Sequence, residues 1–125
     1  MIEVLLVDDH PAMRQLLRDT LEDYSDLTII GEAASGEDAV TQATALHPSI
    51  VIIDINLPTM NGIQATKLIK LRSPSTAVIG MTAGDLRHSQ AFLAAGAAAL
   101  IFKGDILTDL YPSILQAVNR PMSQV

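Results

Sequence analysis

The sequence contains no cysteine. Neither a disulfide framework nor a thiolate zinc site is therefore available, and any metal must be held by carboxylate, hydroxyl or imidazole groups. The same absence agrees with a reducing compartment. Aromatic residues are nearly as scarce: Tyr24, Phe92, Phe102 and Tyr111 are the whole set, too few for a base-stacking surface. Positive charge is short as well. Eight Lys and Arg against 14 Asp and Glu leave a net charge of −6, which repels a phosphate backbone or an anionic leaflet and argues against direct nucleic-acid or membrane binding. No apolar run approaches the roughly 20 residues that a bilayer-crossing helix needs, and Met1 leads straight into Ile2-Glu3-Val4-Leu5-Leu6-Val7 with no basic segment before it. The expected location is the cytoplasm. What remains is a chain of 125 residues, 49% hydrophobic and 18% charged, the size and composition of one folded domain with its own core.

Five short apolar runs, at residues 4–7, 27–30, 50–53, 77–81 and 98–102, have strand length, and the segments between them carry helical spacing. Met13, Leu16, Leu17 and Leu21 make one apolar stripe, Val40, Ala43 and Leu46 a second, and Ala65, Leu68 and Ile69 a third. The clearest is Leu107, Leu110, Tyr111, Ile114, Leu115 and Val118. Pro112 interrupts this last pattern and predicts a kink or a helix that begins near it. His47-Pro48 and Ser73-Pro74 end helices, Asn61-Gly62 opens one, and Gly96 closes another. Strict alternation, (βα) repeated five times, predicts an α/β fold: a parallel, doubly wound sheet with helices on both faces. The first and third runs, apolar throughout, are expected to be central strands buried on both sides. Residues 119–125, with Arg120-Pro121, read as a tail or the start of a linker.

In such a sheet, ligands bind beyond the carboxyl ends of the strands, where the strand order reverses. The first strand delivers Asp8 and Asp9 there, the third Asp54, the fourth Thr82 and the fifth Lys103. Three carboxylates close together repel one another, and a divalent cation relieves the repulsion. Oxygen-only ligation suits Mg²⁺. Asp9 and Asp54 are the favoured direct ligands, with Asp8 acting through water and the backbone carbonyl of Asn56 completing the set. The same parts fit phosphoryl transfer, which needs an in-line nucleophile and positive charge around the spreading oxygens. Asp54 would be the nucleophile, and Lys103 and the Thr82 hydroxyl would bind phosphoryl oxygens.

The motifs Val7-Asp8-Asp9, then Asp54-Ile55-Asn56-Leu57-Pro58-Thr59-Met60-Asn61-Gly62, then Met81-Thr82-Ala83, then Ala95-Gly96-Ala97 and Phe102-Lys103, in this order and spacing, resemble the receiver domain of bacterial two-component response regulators. The likeness runs from Ile2 to about Val118. Asp9-His10-Pro11 is similar to the subfamily that usually carries a C-terminal LuxR-type helix-turn-helix domain. The resemblance implies a flavodoxin-like sheet of order 2-1-3-4-5 and a receiver domain at residues 1–118. It also implies a Mg²⁺-dependent phosphoacceptor at Asp54, served by a sensor histidine kinase or phosphotransfer protein, and a switch made of Thr82 and the residue three before the lysine. The domain would be a signalling phosphoacceptor able to form a homodimer, not an enzyme with an external substrate.

The sequence departs from the family pattern twice. Leu100 stands where most receivers have an aromatic or histidine switch residue, and Gly104 follows Lys103 where most have a cis proline. Without proline a cis bond costs about 2.5 to 4 kcal/mol, so Lys103-Gly104 is expected either trans, with the glycine's freedom compensating, or strained. Alternative readings are a degenerate receiver that serves as an interaction module and a small Mg²⁺-dependent aspartyl-phosphate phosphatase. Asp8 and Asp9 could instead cap the first helix. His10, His47 and His88 lie in separate segments and are expected to be solvated or to sit at helix starts.

Overall fold

The computed structural model describes residues 1–84 and 87–119. Its five strands are β1 (Ile2–Val7), β2 (Leu27–Ala33), β3 (Ile50–Asp54), β4 (Ala77–Thr82) and β5 (Ala99–Phe102). They alternate with α1 (Pro11–Leu21), α2 (Gly36–Leu46), α3 (Gly62–Arg72), α4 (Ser89–Ala94) and α5 (Ile106–Val118). All strands pair in parallel in the order β2-β1-β3-β4-β5, so the expected doubly wound architecture and strand order are those observed. The chain moves outward from β1 to β2, then crosses back to β3 on the other side of β1. The carboxyl ends of β1 and β3 therefore flank the point where strand order reverses.

Local chemistry explains where the elements begin and end. Pro11 occupies the first turn of α1, where its missing N–H has no intrahelical partner to lose. The Ser35 hydroxyl accepts from the Asp38 N–H at the start of α2, and α2 stops at His47 in the left-handed conformation. Asn61 and Gln64 form a reciprocal capping box at the start of α3. Gly96, at φ 113°, turns the chain after α4.

Each face of the sheet carries its own core. Val40 and Ala43 of α2, Ala65 and Ile69 of α3, and Phe92 of α4 pack with Leu5, Val51, Ile53 and Val78 on one side. Leu17 and Leu21 of α1 pack with Ile106, Leu110 and Ile114 of α5, and with Val4, Leu6, Ile52 and Ile79, on the other. All five residues of β3 are buried, as are the last four of β1, which is why those runs lack alternation. A Cβ on Gly80 of β4 would overlap the Phe92 ring, so glycine lets α4 approach the sheet.

The expected start of the last helix near Pro112 is not what forms. α5 begins at Ile106 and runs through the proline, directly behind a 3₁₀ turn at Lys103–Asp105. Burial of Ile106, Leu110 and Ile114 along one face outweighs the hydrogen bond that proline cannot donate, and Pro112 itself lies on the exposed face. Tyr111 on α5 stacks on Tyr24, with ring centroids 3.6 Å apart and planes at 10°, and donates its hydroxyl to Asp26 at 2.7 Å. This clasp joins α5 to the segment between α1 and β2. Among the described residues no helix is long and apolar enough to cross a membrane. The expected tail falls almost wholly outside the described residues, of which Asn119 is the last.

Candidate functional site

Asp8 follows β1 directly and is fully buried. Its N–H donates to the Ala33 carbonyl of β2 at 3.1 Å, and its Oδ1 accepts the His10 N–H at 2.9 Å. Asp54, the last residue of β3, is 2% exposed, and its Oδ1 accepts the Asn56 N–H at 3.0 Å. The turn beyond Asp54 is held by α3. A Cβ on Gly62 would come within 2.5 Å of the Asp54 carbonyl oxygen, and the Gly62 N–H donates to Ile55 at 2.8 Å. Glycine at this helix start lets α3 press against the backbone of the carboxylate.

Lys103, at the first position of the 3₁₀ turn, reaches across the strand ends. Its Nζ donates to Asp8 Oδ2 at 3.2 Å and to Asp54 Oδ2 at 3.1 Å. Burial acts to lower the Lys103 pKa, but the hydrogen bonds and charges of Asp54, then of Asp8, outweigh it and raise the pKa above the usual lysine value. The peptide bond to Gly104 is trans, as are all those described, and Gly104 does not enter the left-handed region. The glycine's conformational freedom is thus not what aims the lysine; the 3₁₀ turn carries it. Thr82 ends β4, is 1% exposed, and its Oγ1 accepts the Gly84 N–H at 3.4 Å. Leu100 of β5 pairs with Gly80 of β4. It is half-buried against the same core that holds Phe92, two positions from Thr82 in the strand register and on the same face.

Asp8, Asp9, His10 and Asp54 each offer a ligand atom within 4.8 Å of the others. Three carboxylates there face one ammonium. Asp9 Oδ1 is buried and accepts no hydrogen bond: His10 Nδ1 lies 3.2 Å away, but that ring nitrogen bonds Asp8 Oδ1 at 3.1 Å instead. A buried oxygen with unused lone pairs, beside two further carboxylates, fits a hard oxygen-seeking cation.

The sequence-predicted Asp8, Asp9, Asp54, Thr82 and Lys103 all stand at this one rim. Asn56 is beside it, with its N–H turned to Asp54. The alternative that Asp8 and Asp9 cap α1 fails: the N-cap is His10, with no side-chain cap bond. His10 and His88 sit at helix starts, as N-caps, whereas His47 is the C-cap of α2 and meets the expectation by its exposure to solvent. His10 departs from expectation in one respect, since its ring, though 69% exposed, lies against Asp8 and Asp9. A residue the sequence did not single out is Arg14, which donates from Nη1 to the Asp8 carbonyl at 2.6 Å.

Comparison with known proteins agrees with this geometry. The response regulator GacA of Pseudomonas protegens is 33% identical over 115 residues, covering 91% of this chain and 54% of that protein. The response regulator domain of Thermotoga maritima CheB superposes with a TM-score of 0.88 at 31% identity, covering 97% of this chain and 98% of the other. A LuxR-family response regulator from Aurantimonas sp. SI85-9A1 superposes with a TM-score of 0.87 at 26% identity, over 93% and 84% of the two chains. The chain also matches protein-glutamate methylesterases at 38% to 42% identity, spanning only 21% to 30% of their length. The profile of the response regulator receiver domain matches residues 4–113. With its strand order, its acidic rim and these likenesses, the chain belongs to the response regulator receiver domain family.

Proposed function

We propose that Asp54 is the residue that accepts the phosphoryl group, and that Asp8, Asp9, Asp54 and the Asn56 backbone carbonyl would hold Mg²⁺ beside it. That ion, when bound, supplies positive charge to the phosphoryl oxygens. The observation that carries the reading is the Lys103 ammonium held between two buried carboxylates, 3.2 Å from Asp8 and 3.1 Å from Asp54, next to a buried Asp9 oxygen that accepts no hydrogen bond.

An Asp54 carboxylate oxygen attacks phosphorus, and the bond from phosphorus to the imidazole nitrogen of a phosphohistidine, or to an acetyl oxygen, breaks. The Asn56 N–H holds Asp54 Oδ1, which leaves Oδ2, on the Lys103 side, as the attacking atom. Lys103 is positioned to exchange a carboxylate contact for a phosphoryl oxygen as charge spreads onto it. The Thr82 hydroxyl takes another oxygen, and Leu100 follows into the space that Thr82 leaves. The added phosphate carries about −1.5 to −2 charges, which biases the segment from β4 to the 3₁₀ turn. The donor is a sensor histidine kinase or phosphotransfer protein, in the cytoplasm. The receiver unit ends at Val118, where α5 ends, and output, in the control of transcription, passes through an effector domain that is not in this chain. Turnover of an external substrate is not part of this role.

The test is labelling with acetyl phosphate, or binding of beryllofluoride, in the presence of Mg²⁺. Wild type is expected to react and Asp54→Asn to fail; equal labelling of both overturns the assignment.

A further inference from the structure

We propose that Arg14 is a positioning residue for the cation site, acting through the peptide plane between Asp8 and Asp9. The proposal rests on the reading that Asp8, Asp9 and Asp54 hold a divalent cation. Side-chain bonds fix two of those carboxylates. Asp8 is tied by the His10 N–H and by Lys103, and Asp54 by the Asn56 N–H and by Lys103. Asp9 differs, because its Oδ1 accepts no hydrogen bond. Beside that oxygen stands only the exposed His10 ring, at 3.2 Å, so the course of its backbone carries much of the placement of Asp9.

A peptide unit is planar, so whatever holds the Asp8 carbonyl also fixes the Asp9 nitrogen and Cα, the point from which the Asp9 side chain leaves. Arg14 Nη1 donates to that carbonyl at 2.6 Å. The guanidinium is itself braced: its Nε donates to Glu32 Oε1 on β2 at 2.9 Å. Glu32 is gripped from its other oxygen by Arg18, and its backbone carbonyl accepts from Gln42 of α2 at 2.7 Å. One rigid fork thus joins α1, β2 and the turn carrying the acidic pair. Arginine is needed for this, since two donors of one planar group must point at two fixed acceptors, which a single ammonium on a flexible stem cannot reproduce.

Charge and geometry predict opposite signs. As a nearby positive charge Arg14 opposes cation binding, so removing it would tighten Mg²⁺ binding if it did nothing else. As a brace, its loss weakens binding. Arg14→Met and Arg14→Lys are expected to raise the Mg²⁺ dissociation constant, measured by calorimetry, about tenfold, the low end of the range for partners that orient metal ligands. The Mg²⁺ concentration that half-saturates acetyl phosphate labelling should rise in parallel, with a smaller fall in rate at saturating Mg²⁺. Thermal unfolding without Mg²⁺ verifies that each variant folds, and Arg14→Lys, which keeps charge and much of the packing, is the milder of the two. Unchanged or tighter Mg²⁺ binding in the folded variants overturns the proposal. Asp9→Asn, measured beside them, separates the two levels. If it abolishes Mg²⁺ binding while the Arg14 variants bind as wild type does, only the positioning role fails; if it binds Mg²⁺ normally, the cation-site reading fails as well.

Discussion

Replacing Lys103 by methionine leaves two buried carboxylates, Asp8 and Asp54, without the ammonium that bonds both. At 3.1 and 3.2 Å each pair has a Coulomb energy of about 5 kcal/mol at an effective dielectric of about 20. Much of that is offset by taking the ammonium out of water. Breaking a buried pair from one side nevertheless costs about 3 to 5 kcal/mol, because the remaining charge stays buried. The lysine side chain is 24% exposed, so solvent screens part of its effect, and a loss of about 2 to 3 kcal/mol is expected. For a domain of this size that lowers the melting temperature by about 10 °C. The raised Lys103 pKa means that this stabilisation is present in full below the ordinary lysine pKa and is lost only as pH rises through the raised value. The deficit should therefore hold throughout the neutral range. A divalent cation can then stand in for the missing charge: at about twenty times its dissociation constant it returns about 1.8 kcal/mol, more if loss of the competing ammonium tightens its binding. The assay is thermal unfolding by circular dichroism, first with chelator and then with Mg²⁺. A Lys103→Met protein that melts with wild type in chelator, or that gains less from Mg²⁺ than wild type does, refutes the reasoning.

Three further outcomes are expected. Gly80→Ala puts a methyl group into the ring of Phe92 and should cost about 1 to 3 kcal/mol, read as a lower urea midpoint at unchanged slope. Pro112→Ala restores an N–H donor in the middle of α5 at an exposed position and should stabilise by about 1 to 3 kcal/mol; a lower melting temperature would mean that the proline shapes the helix. Glu32, held below its ordinary pKa mainly by the Arg18 hydrogen bond and further by Arg14, contributes stability above that ordinary value that is lost as pH falls through the lowered one. Glu32→Gln should therefore flatten the decline in melting temperature below about pH 4.5, and an unchanged acid limb would count against the clamp.

Most of this architecture was legible because burial leaves a periodic trace. Residues 50–53 lack alternation since both faces of β3 are covered, and Asn61-Gly62 announces α3 through a cap that depends on neighbours only. Asp8, Asp54, Thr82 and Lys103 were readable together, since parallel strands bring their carboxyl ends to one rim whatever the details of packing. Pro112 misled because local propensity argues against an interior proline, whereas the burial of Ile106, Leu110 and Ile114 is a tertiary effect. Arg14 went unnoticed for a related reason: on α1 it looks like a solvated helical cation, and its partner Glu32 is a strand residue 18 positions away. The contact of His10 with Asp8 and Asp9 depends on the turn that Asp8 makes with the His10 N–H, which no pattern of residue types encodes.

The clasp between Tyr24 and Tyr111 has a practical corollary. The chain has two tyrosines and no tryptophan, and both phenol rings lie in that single stack. Its near-ultraviolet dichroism is therefore dominated by one chromophore pair at the seam where α5 meets the loop before β2. Any event that slides this helix by an ångström changes the exciton geometry, giving an intrinsic, label-free optical report on the seam, far from the acidic rim.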